Sequence, residues 1–161
     1  MHAAQREKTL KALNFSFGSD HPLYHAIPGL LSRKRDPYAF YMRVPDLPAF
    51  LRQITPALEQ RLCQSPCSGH SGELKISFYR SGVRLVFEQG RLVNVEGWQP
   101  VIKEDEGGAA FPNLTFLQVL FGYRSLNEIR YAYPDCWASD TARPVLEAIF
   151  PKKASSVWSL S

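Results

Sequence analysis

The sequence predicts an α/β (α+β) domain in which a small, mostly antiparallel sheet is covered by helices on one face. Between Glu73 and Trp98, apolar residues alternate with polar ones around short turns at Ser81–Gly82 and Gln89–Gly90. This pattern is typical of antiparallel strands with one buried face. Between Leu47 and Leu62, apolar residues recur every three or four positions, as on one face of an amphipathic helix. The 161 residues suffice for one domain with a sizeable core.

The chain is expected to consist of a lead-in, a main domain and a tail. The lead-in, residues 1–36, is interrupted by prolines, so we expect a linker segment with at most a short helical turn. The main domain is expected over residues 37–151. Residues 152–161 show no helical period and are expected to form a carboxy-terminal tail.

A strand and a proline-broken helix are expected to open the main domain. Aromatic and other residues alternate over Tyr38–Val44, which indicates a strand. Asp46 is a good N-cap residue, and Pro48 suits the first helical turn because its missing N–H does no harm there. Pro56 removes a hydrogen bond within the same helix, which predicts a kink or a restart near Thr55.

A three-stranded meander follows this helix. Strands are predicted at Glu73–Tyr79, Val83–Glu88 and Arg91–Trp98. The alternation predicts one buried face, formed by Leu74, Ile76, Phe78, Leu85 and Phe87. The opposite face carries mixed charge, which favours contact with solvent or with a partner domain.

The remaining third of the chain predicts a loop, an edge strand and three helices. The acidic, glycine-bearing segment Lys103–Gly108 is expected to form the loop, and Ala109–Phe111 the edge strand. Helices are expected over Asn113–Phe121, from Ser125 to before Pro134, and from Ser139 or Asp140 to Ile149. Gly122 suits the end of the first of these helices, and Ser125 and Glu128 form a capping-box pattern at the start of the second.

Composition and charge exclude several classes of protein. Hydrophobic residues make up 45% and charged residues 21%, as in ordinary soluble domains. The net charge is only +4, so a solvated surface is favoured over an acidic partner, and nucleic-acid binding is not expected. No apolar stretch approaches the roughly 20 residues that span a bilayer. Three cysteines, an odd number, and an amino terminus without a signal-peptide core predict a cytoplasmic location.

Signals for metal binding and nucleophilic catalysis are weak. Cys63, Cys67 and His70 supply three possible ligands, but zinc sites usually need four, so no metal is expected. No histidine stands at a triad-like spacing from Cys136, which is therefore expected to be a packed cysteine rather than a nucleophile.

Several long stretches resemble a known family. They read F-P-N-L-T-F-L-Q-V-L-F-G-Y-R-S-L-N-E-I-R-Y-A-Y-P-D-C-W from Phe111, P-Y-A-F-Y-M-R-V-P-D-L-P-A-F-L from Pro37, and G-E-L-K-I-S-F-Y-R-S-G-V-R-L-V-F-E from Gly72. Over roughly residues 20–161 the chain resembles the carboxy-terminal domain of the enhanced-intracellular-survival family of GNAT N-acetyltransferases. The resemblance implies a sterol-carrier-protein-like fold and a non-catalytic domain that forms part of an amine-substrate pocket and makes homo-oligomer contacts.

The resemblance also implies a partner that binds the cofactor. GNAT enzymes hold the acetyl-CoA pyrophosphate in an [RQ]-x-x-G-x-[GA] turn that leads into a helix. Arg80-Ser81-Gly82 and Gln89-Gly90 have the wrong spacing, and Gly107-Gly108 lacks a basic or glutamine residue at the right offset. We therefore expect this chain to bind no cofactor alone. Acetyl-CoA would belong to an associated GNAT acetyltransferase domain, and the chain would be part of an enzyme only when joined to it.

The resemblance assigns a catalytic role to the carboxy terminus. In that family the terminal carboxylate lies in the acetyltransferase active site, near the amine; here that carboxylate belongs to Ser161, with Trp158 as the tail anchor. The family ending W-x-W-P-L plus one residue corresponds here to S-V-W-S-L-S, with Ser156 and Ser159 in place of tryptophan and proline. A docked tail and a disordered tail both remain open.

The sterol-carrier resemblance implies a second site, a gap between a helix and the sheet. Its walls are expected to be Phe78, Leu85, Phe87, Phe116, Leu117, Leu120 and Phe121. The gap is either a filled core or a tunnel for a hydrophobic small molecule. A tunnel would make the chain a free-standing lipid carrier, and a pure assembly module is a third reading.

Overall fold

The computed structural model describes residues 12–18, 21–33, 41–100, 108–112 and 114–154. Its helices are α1 (Pro22–Ala26), α2 (Leu47–Gln53), α3 (Thr55–Cys63), α4 (Thr115–Leu120), α5 (Leu126–Ala132) and α6 (Ala142–Ile149), with a 3₁₀ turn at Pro28–Leu30. Its strands are β1 (Gly72–Ser77), β2 (Gly82–Glu88), β3 (Arg91–Trp98), β4 (Ala109–Ala110) and β5 (Trp137–Ala138). The predicted mixed α/β class is therefore confirmed.

The chain divides into two compact units. One comprises Met1–Asp36 with Ala154–Ser161, and the other comprises Pro37–Lys153. In the first unit, α1 is preceded by a small aromatic group, in which the rings of Phe17 and His21 stack with their centroids 4.2 Å apart. The Nδ1 atom of His21 also accepts a hydrogen bond from the Leu23 amide and so caps α1.

In its described residues, the second unit is built on a five-stranded mixed sheet. Its strand order is β3-β2-β1-β4-β5. The pairs β1–β2, β2–β3 and β4–β5 are antiparallel, whereas β1–β4 is parallel. The strand predicted at Ala109–Phe111 is present as β4, but it is not an edge strand, because β5 pairs with its outer side. A two-residue strand such as β5 leaves no period-two pattern in the sequence, so nothing in the sequence indicated it.

The meander agrees with the sequence pattern. The turn between β2 and β3 places Gln89 at φ 49° and Gly90 at φ 82°, the two positive values that a type I′ hairpin turn requires. The register shifts between Val86 and Phe87, which face Asn94 and Leu92, so Val93 is an extra, bulged residue of β3.

Local signals also place the helix breaks and caps. Asp46 Oδ1 accepts a hydrogen bond from the Ala49 amide at 2.9 Å, which confirms the expected cap of α2. The helix stops after Gln53 and restarts at Thr55, so the break expected from Pro56 is confirmed. Ser125 and Glu128 form the expected capping box of α5.

Other element boundaries differ from those expected. Residues 41–44 are not a strand, although their alternation suggested one, and Tyr38–Phe40 lie outside the described residues. Exposure does alternate there, with Tyr41 and Arg43 exposed and Met42 and Val44 half-buried, but this stretch pairs with no strand among the described residues. Helix α4 begins only at Thr115, because Leu114 has the left-handed φ of 55°. The Lys103–Gly108 loop lies almost entirely outside the described residues.

The core lies between one sheet face and the helices. The inward side chains Leu74, Ile76, Leu85 and Phe87 are buried in one cluster with residues of α2, α3, α4 and α6. At its centre the ring of Phe116 lies 5.4 Å from that of Phe111, 5.5 Å from that of Phe78 and 5.4 Å from that of Phe150. Such ring pairs each add about 0.5–1.5 kcal/mol beyond the burial of apolar area.

Replacing Phe116 is therefore expected to destabilise the fold strongly. For Phe116→Ala we expect a loss of about 3–5 kcal/mol in the free energy of unfolding, because the cavity leaves three rings without a partner. The neighbouring Leu117→Ala variant is the control, since Leu117 is only half-buried and should lose less. Urea denaturation measures both; equal losses would contradict the central position of Phe116.

Candidate functional site

The segment that leaves helix α6 is held in place by contacts with three other elements. Phe150 is buried, and its ring packs edge-on against Phe116. One residue earlier, the Ile149 carbonyl accepts a hydrogen bond of 2.9 Å from Arg61 Nη1 of α3. Beyond Pro151 the chain meets the loop between α4 and α5. We call Gly122, Glu128, Lys152 and Lys153 the exit site, because the carboxy-terminal residues continue from here.

Gly122 brings two stretches of backbone into direct contact. The Lys153 amide donates a hydrogen bond of 3.0 Å to the Gly122 carbonyl. Gly122 has a φ of 70°, a region that favours glycine, and it follows the last residues of α4. A Cβ atom at this position would lie 3.0 Å from the Lys153 nitrogen and 3.1 Å from the Pro151 oxygen. Only glycine therefore fits without a local shift.

An ion pair aligns the same segment from its other side. Lys152 Nζ lies 2.6 Å from Glu128 Oε1, and the second oxygen of Glu128 accepts a hydrogen bond of 2.8 Å from the Ser125 amide. The hydrogen bond from Lys152, followed by that from the Ser125 backbone, lowers the pKa of Glu128 to about 2. The carboxylate is therefore ionised near neutral pH, and both of its oxygens are engaged.

An open groove of about 530 Å³ adjoins the exit site. Its walls are Tyr123, Arg124, Glu128, Tyr131, Ala132 and Lys152. The guanidinium carbon of Arg124 lies 5.9 Å from the centroid of the Tyr123 ring, a cation–π distance. The side chains of Tyr123 and Tyr131 are 62% and 94% exposed. Tyrosine and arginine side chains are enriched in protein–protein interfaces, so the groove is chemically suited to contact with a partner.

The outer face of the sheet is largely neutralised by its own residues. Arg84 pairs with Glu73 on β1 and, at 2.6 Å, with Glu96 on β3. These bonds lower the pKa of both carboxyl groups. Lys75 Nζ lies 5.6 Å from the centroid of the Trp98 ring. The mixed charge seen in the sequence is thus arranged as complementary pairs across strands.

The residues expected to line a cavity are all in or beside the core. Leu85, Phe87, Phe116 and Leu120 are buried, whereas Phe78, Leu117 and Phe121 are half-buried. The ring of Phe121 lies 5.8 Å from that of Phe50 of α2, and Phe78 contacts Phe116. These ring contacts favour a filled core, while the ligand tunnel stays a prediction.

The other candidate residues are not brought together. Ser161 and Trp158 lie outside the described residues. Cys63 is exposed and Cys67 is half-buried. Among the residues described, no group of three or more His, Cys, Asp or Glu could hold a metal ion. Cys136 is buried and its thiol donates to Thr115 Oγ1 at 3.6 Å; burial raises the pKa of this thiol, which disfavours the thiolate.

The exit site was only partly visible in the sequence. Gly122 was recognised as a helix-ending residue and Glu128 as part of a capping box. The pairing of Glu128 with Lys152 was not, because the two residues are 24 positions apart and no local pattern links them. The adjacent lysines after Pro151 were the one available signal.

Comparison of the chain with models of known families, with curated proteins and with solved structures gave no match. The resemblance that the sequence motifs suggest therefore stays a prediction. In the parts of the chain that the structure describes, no helix combines the length and the apolar character needed to cross a membrane.

The backbone contacts at the exit site require glycine at position 122. We expect Gly122→Ala to lower the free energy of unfolding by roughly 1–3 kcal/mol, because alanine is strained at this positive φ and its Cβ crowds the backbone of residues 151–153. Gly97→Ala is the matched control, since a Cβ there meets nothing within 4 Å. Urea denaturation checks both; equal stabilities of the two variants would contradict the close approach at Gly122.

Proposed function

We propose that this chain is the non-catalytic carboxy-terminal domain of a GNAT-type N-acetyltransferase of the enhanced-intracellular-survival type. In this role it forms part of the amine-substrate pocket, supplies the terminal carboxylate of Ser161 and contributes oligomer contacts. Acetyl-CoA is bound by the associated GNAT domain. The proposal rests on the motifs that extend over most of the sequence, and the mixed α/β architecture agrees with it at the level of fold class.

The observation that carries the proposed role of the terminus is the fixed exit of the chain. Lys153 is held on Gly122 and Lys152 on Glu128, so the last eight residues, 154–161, start from a defined point. Eight residues span at most roughly 26–29 Å when fully extended. The acetyltransferase active site would therefore lie within that radius of Lys153. A less well-defined starting point would make delivery of a single carboxylate to one position entropically more costly.

The chemistry of this role follows from what an amine needs in order to react. An ammonium group carries no lone pair, so it must lose a proton before it attacks the thioester of acetyl-CoA. A terminal carboxylate beside the amine would orient the ammonium and accept that proton through water. This part of the mechanism needs only one carboxylate, which every chain end provides, so it requires no catalytic side chain within the domain.

The alternative role of a free-standing carrier of lipids or hydrophobic ligands has less support. Such a carrier needs space between the helices and the sheet, where Phe116 instead contacts three other rings. Interiors packed in this way hold few voids larger than a water molecule. Titration with a fluorescent fatty acid tests the alternative directly. Stoichiometric binding to the folded chain would favour the carrier.

The proposed role is tested by moving the terminal carboxylate in the enzyme assembled with its GNAT domain. Deleting Ser159–Ser161, or adding a few residues after Ser161, is expected to lower kcat by about 10²-fold or more, the scale of a lost general base. Ser161→Ala is the control, because it keeps the chain length and the carboxylate and should keep the activity. The melting temperature should be nearly unchanged in all three variants. Full activity of the shortened and the lengthened chains would contradict the proposal.

A further inference from the structure

Among the described residues, strand β3 lies at one edge of the sheet, and two helix side chains bind its backbone. Arg52 Nη1 of α2 donates a hydrogen bond of 2.6 Å to the Val95 carbonyl. Glu59 Oε1 of α3 accepts a hydrogen bond of 2.9 Å from the Leu92 amide. These two backbone groups are thus directed away from β2. An additional strand would need the same two groups for its own hydrogen bonds.

We propose that Arg52 and Glu59 close a strand-pairing site on β3, and that the partner this site accepts is β3 of a second copy of the chain. The inference is independent of the acetyltransferase role. Edge strands present rows of backbone donors and acceptors, which associate unless something covers them. The opposite edge of the sheet is β5, which has only two residues and so offers little to pair with.

The bulge at Val93 determines which residues of β3 face outward. In a regular strand, outward-facing groups recur every second residue, but here Leu92 and Val95 are three apart because Val93 is an extra residue. When β3 of a second copy pairs antiparallel with Leu92 opposite Val95, the Leu92 amide of each copy can donate a hydrogen bond to the Val95 carbonyl of the other. The outward-facing groups of both copies are then paired. The outward pattern of β3 is therefore complementary to itself.

Charge supports the same register. Placing Leu92 opposite Val95 also places Arg91 of each copy opposite Glu96 of the other, so two opposite-charge pairs form across the new strand boundary. Arg91 is exposed, and Glu96 also pairs with Arg84 of its own sheet. The bulged Val93, 50% exposed, would lie opposite Asn94. A second copy thus matches β3 in both hydrogen bonding and charge.

The proposal is tested by removing the two side chains that bind the backbone of β3. The double variant Arg52→Ala, Glu59→Ala of the full chain is compared with the wild type by sedimentation velocity over a range of concentrations. We expect its self-association to be at least about tenfold tighter than that of the wild type. The control is Arg143→Ala, Asp140→Ala, which removes an exposed 2.8 Å ion pair elsewhere and should leave association unchanged.

Disulfide trapping tests the register. Val93→Cys and Asn94→Cys chains are prepared separately with Cys63 and Cys67 replaced by serine, and are then mixed and oxidised. The mixture should cross-link at least about tenfold faster in the Arg52→Ala, Glu59→Ala background than in the wild-type background. Association without this cross-link would place the contact elsewhere and overturn the proposal.

The proposal can also be tested if the double variant does not fold. Circular dichroism shows whether it folds, and if it does not, Arg52→Ala and Glu59→Ala are measured singly, since each keeps one of the two contacts. Each single variant is then expected to self-associate more tightly than the wild type, because it exposes one of the two backbone groups of β3. Wild-type association of the folded single variants, or of a folded double variant, would overturn the proposal.

Discussion

The ring of Phe116 joins parts of the domain that are far apart in sequence. Its neighbours are Phe78, just after β1, Phe111, just after β4, and Phe150, at the end of α6. Helix α4 is thereby held against the sheet, and the end of α6 is held against α4. Because Pro151–Lys153 follow Phe150 directly, the position from which the chain leaves the domain depends on this packing. The exit site is therefore a consequence of the core.

The interactions on the surface restrict the paths of chain segments more than they stabilise the fold. Exposed ion pairs such as Lys152–Glu128 usually contribute little to the free energy of unfolding, since water screens them and ordering two long side chains opposes them. They do restrict where a chain segment runs. At the exit site the backbone contact at Gly122 sets the distance, and the ion pair sets the orientation. On the edge of β3, Arg52 and Glu59 similarly occupy groups that a partner would use.

Local features of the fold were predictable, and features that join distant residues were not. The cap at Asp46, the break before Thr55 and the turn at Gln89–Gly90 depend on residues within four positions of one another, so the sequence contains their full cause. The parallel pairing of β1 with β4 and the short β5 depend on tertiary packing. The bond from Arg61 to the Ile149 carbonyl joins residues 88 positions apart, and no pattern along the chain indicates it.

The same distinction applies to function. The terminal carboxylate of Ser161 was a candidate only through resemblance to a family, while the point from which its segment starts became visible only in the structure. The groove lined by Tyr123 and Tyr131 likewise combines a loop and a helix face whose proximity the sequence did not reveal. The core residues were predictable as apolar, but whether they enclose space depends on ring contacts between residues far apart in the sequence.

The central claim is that the chain leaves the domain from a fixed point at Gly122. Amide hydrogen exchange of Lys153, followed by NMR, tests it most directly, because this amide donates to the Gly122 carbonyl. We expect Lys153 to be protected to a degree similar to Phe150, whose amide bonds to the Leu146 carbonyl at 2.9 Å. Exchange of Lys153 at the rate of an unstructured peptide, while Phe150 stays protected, would contradict the account.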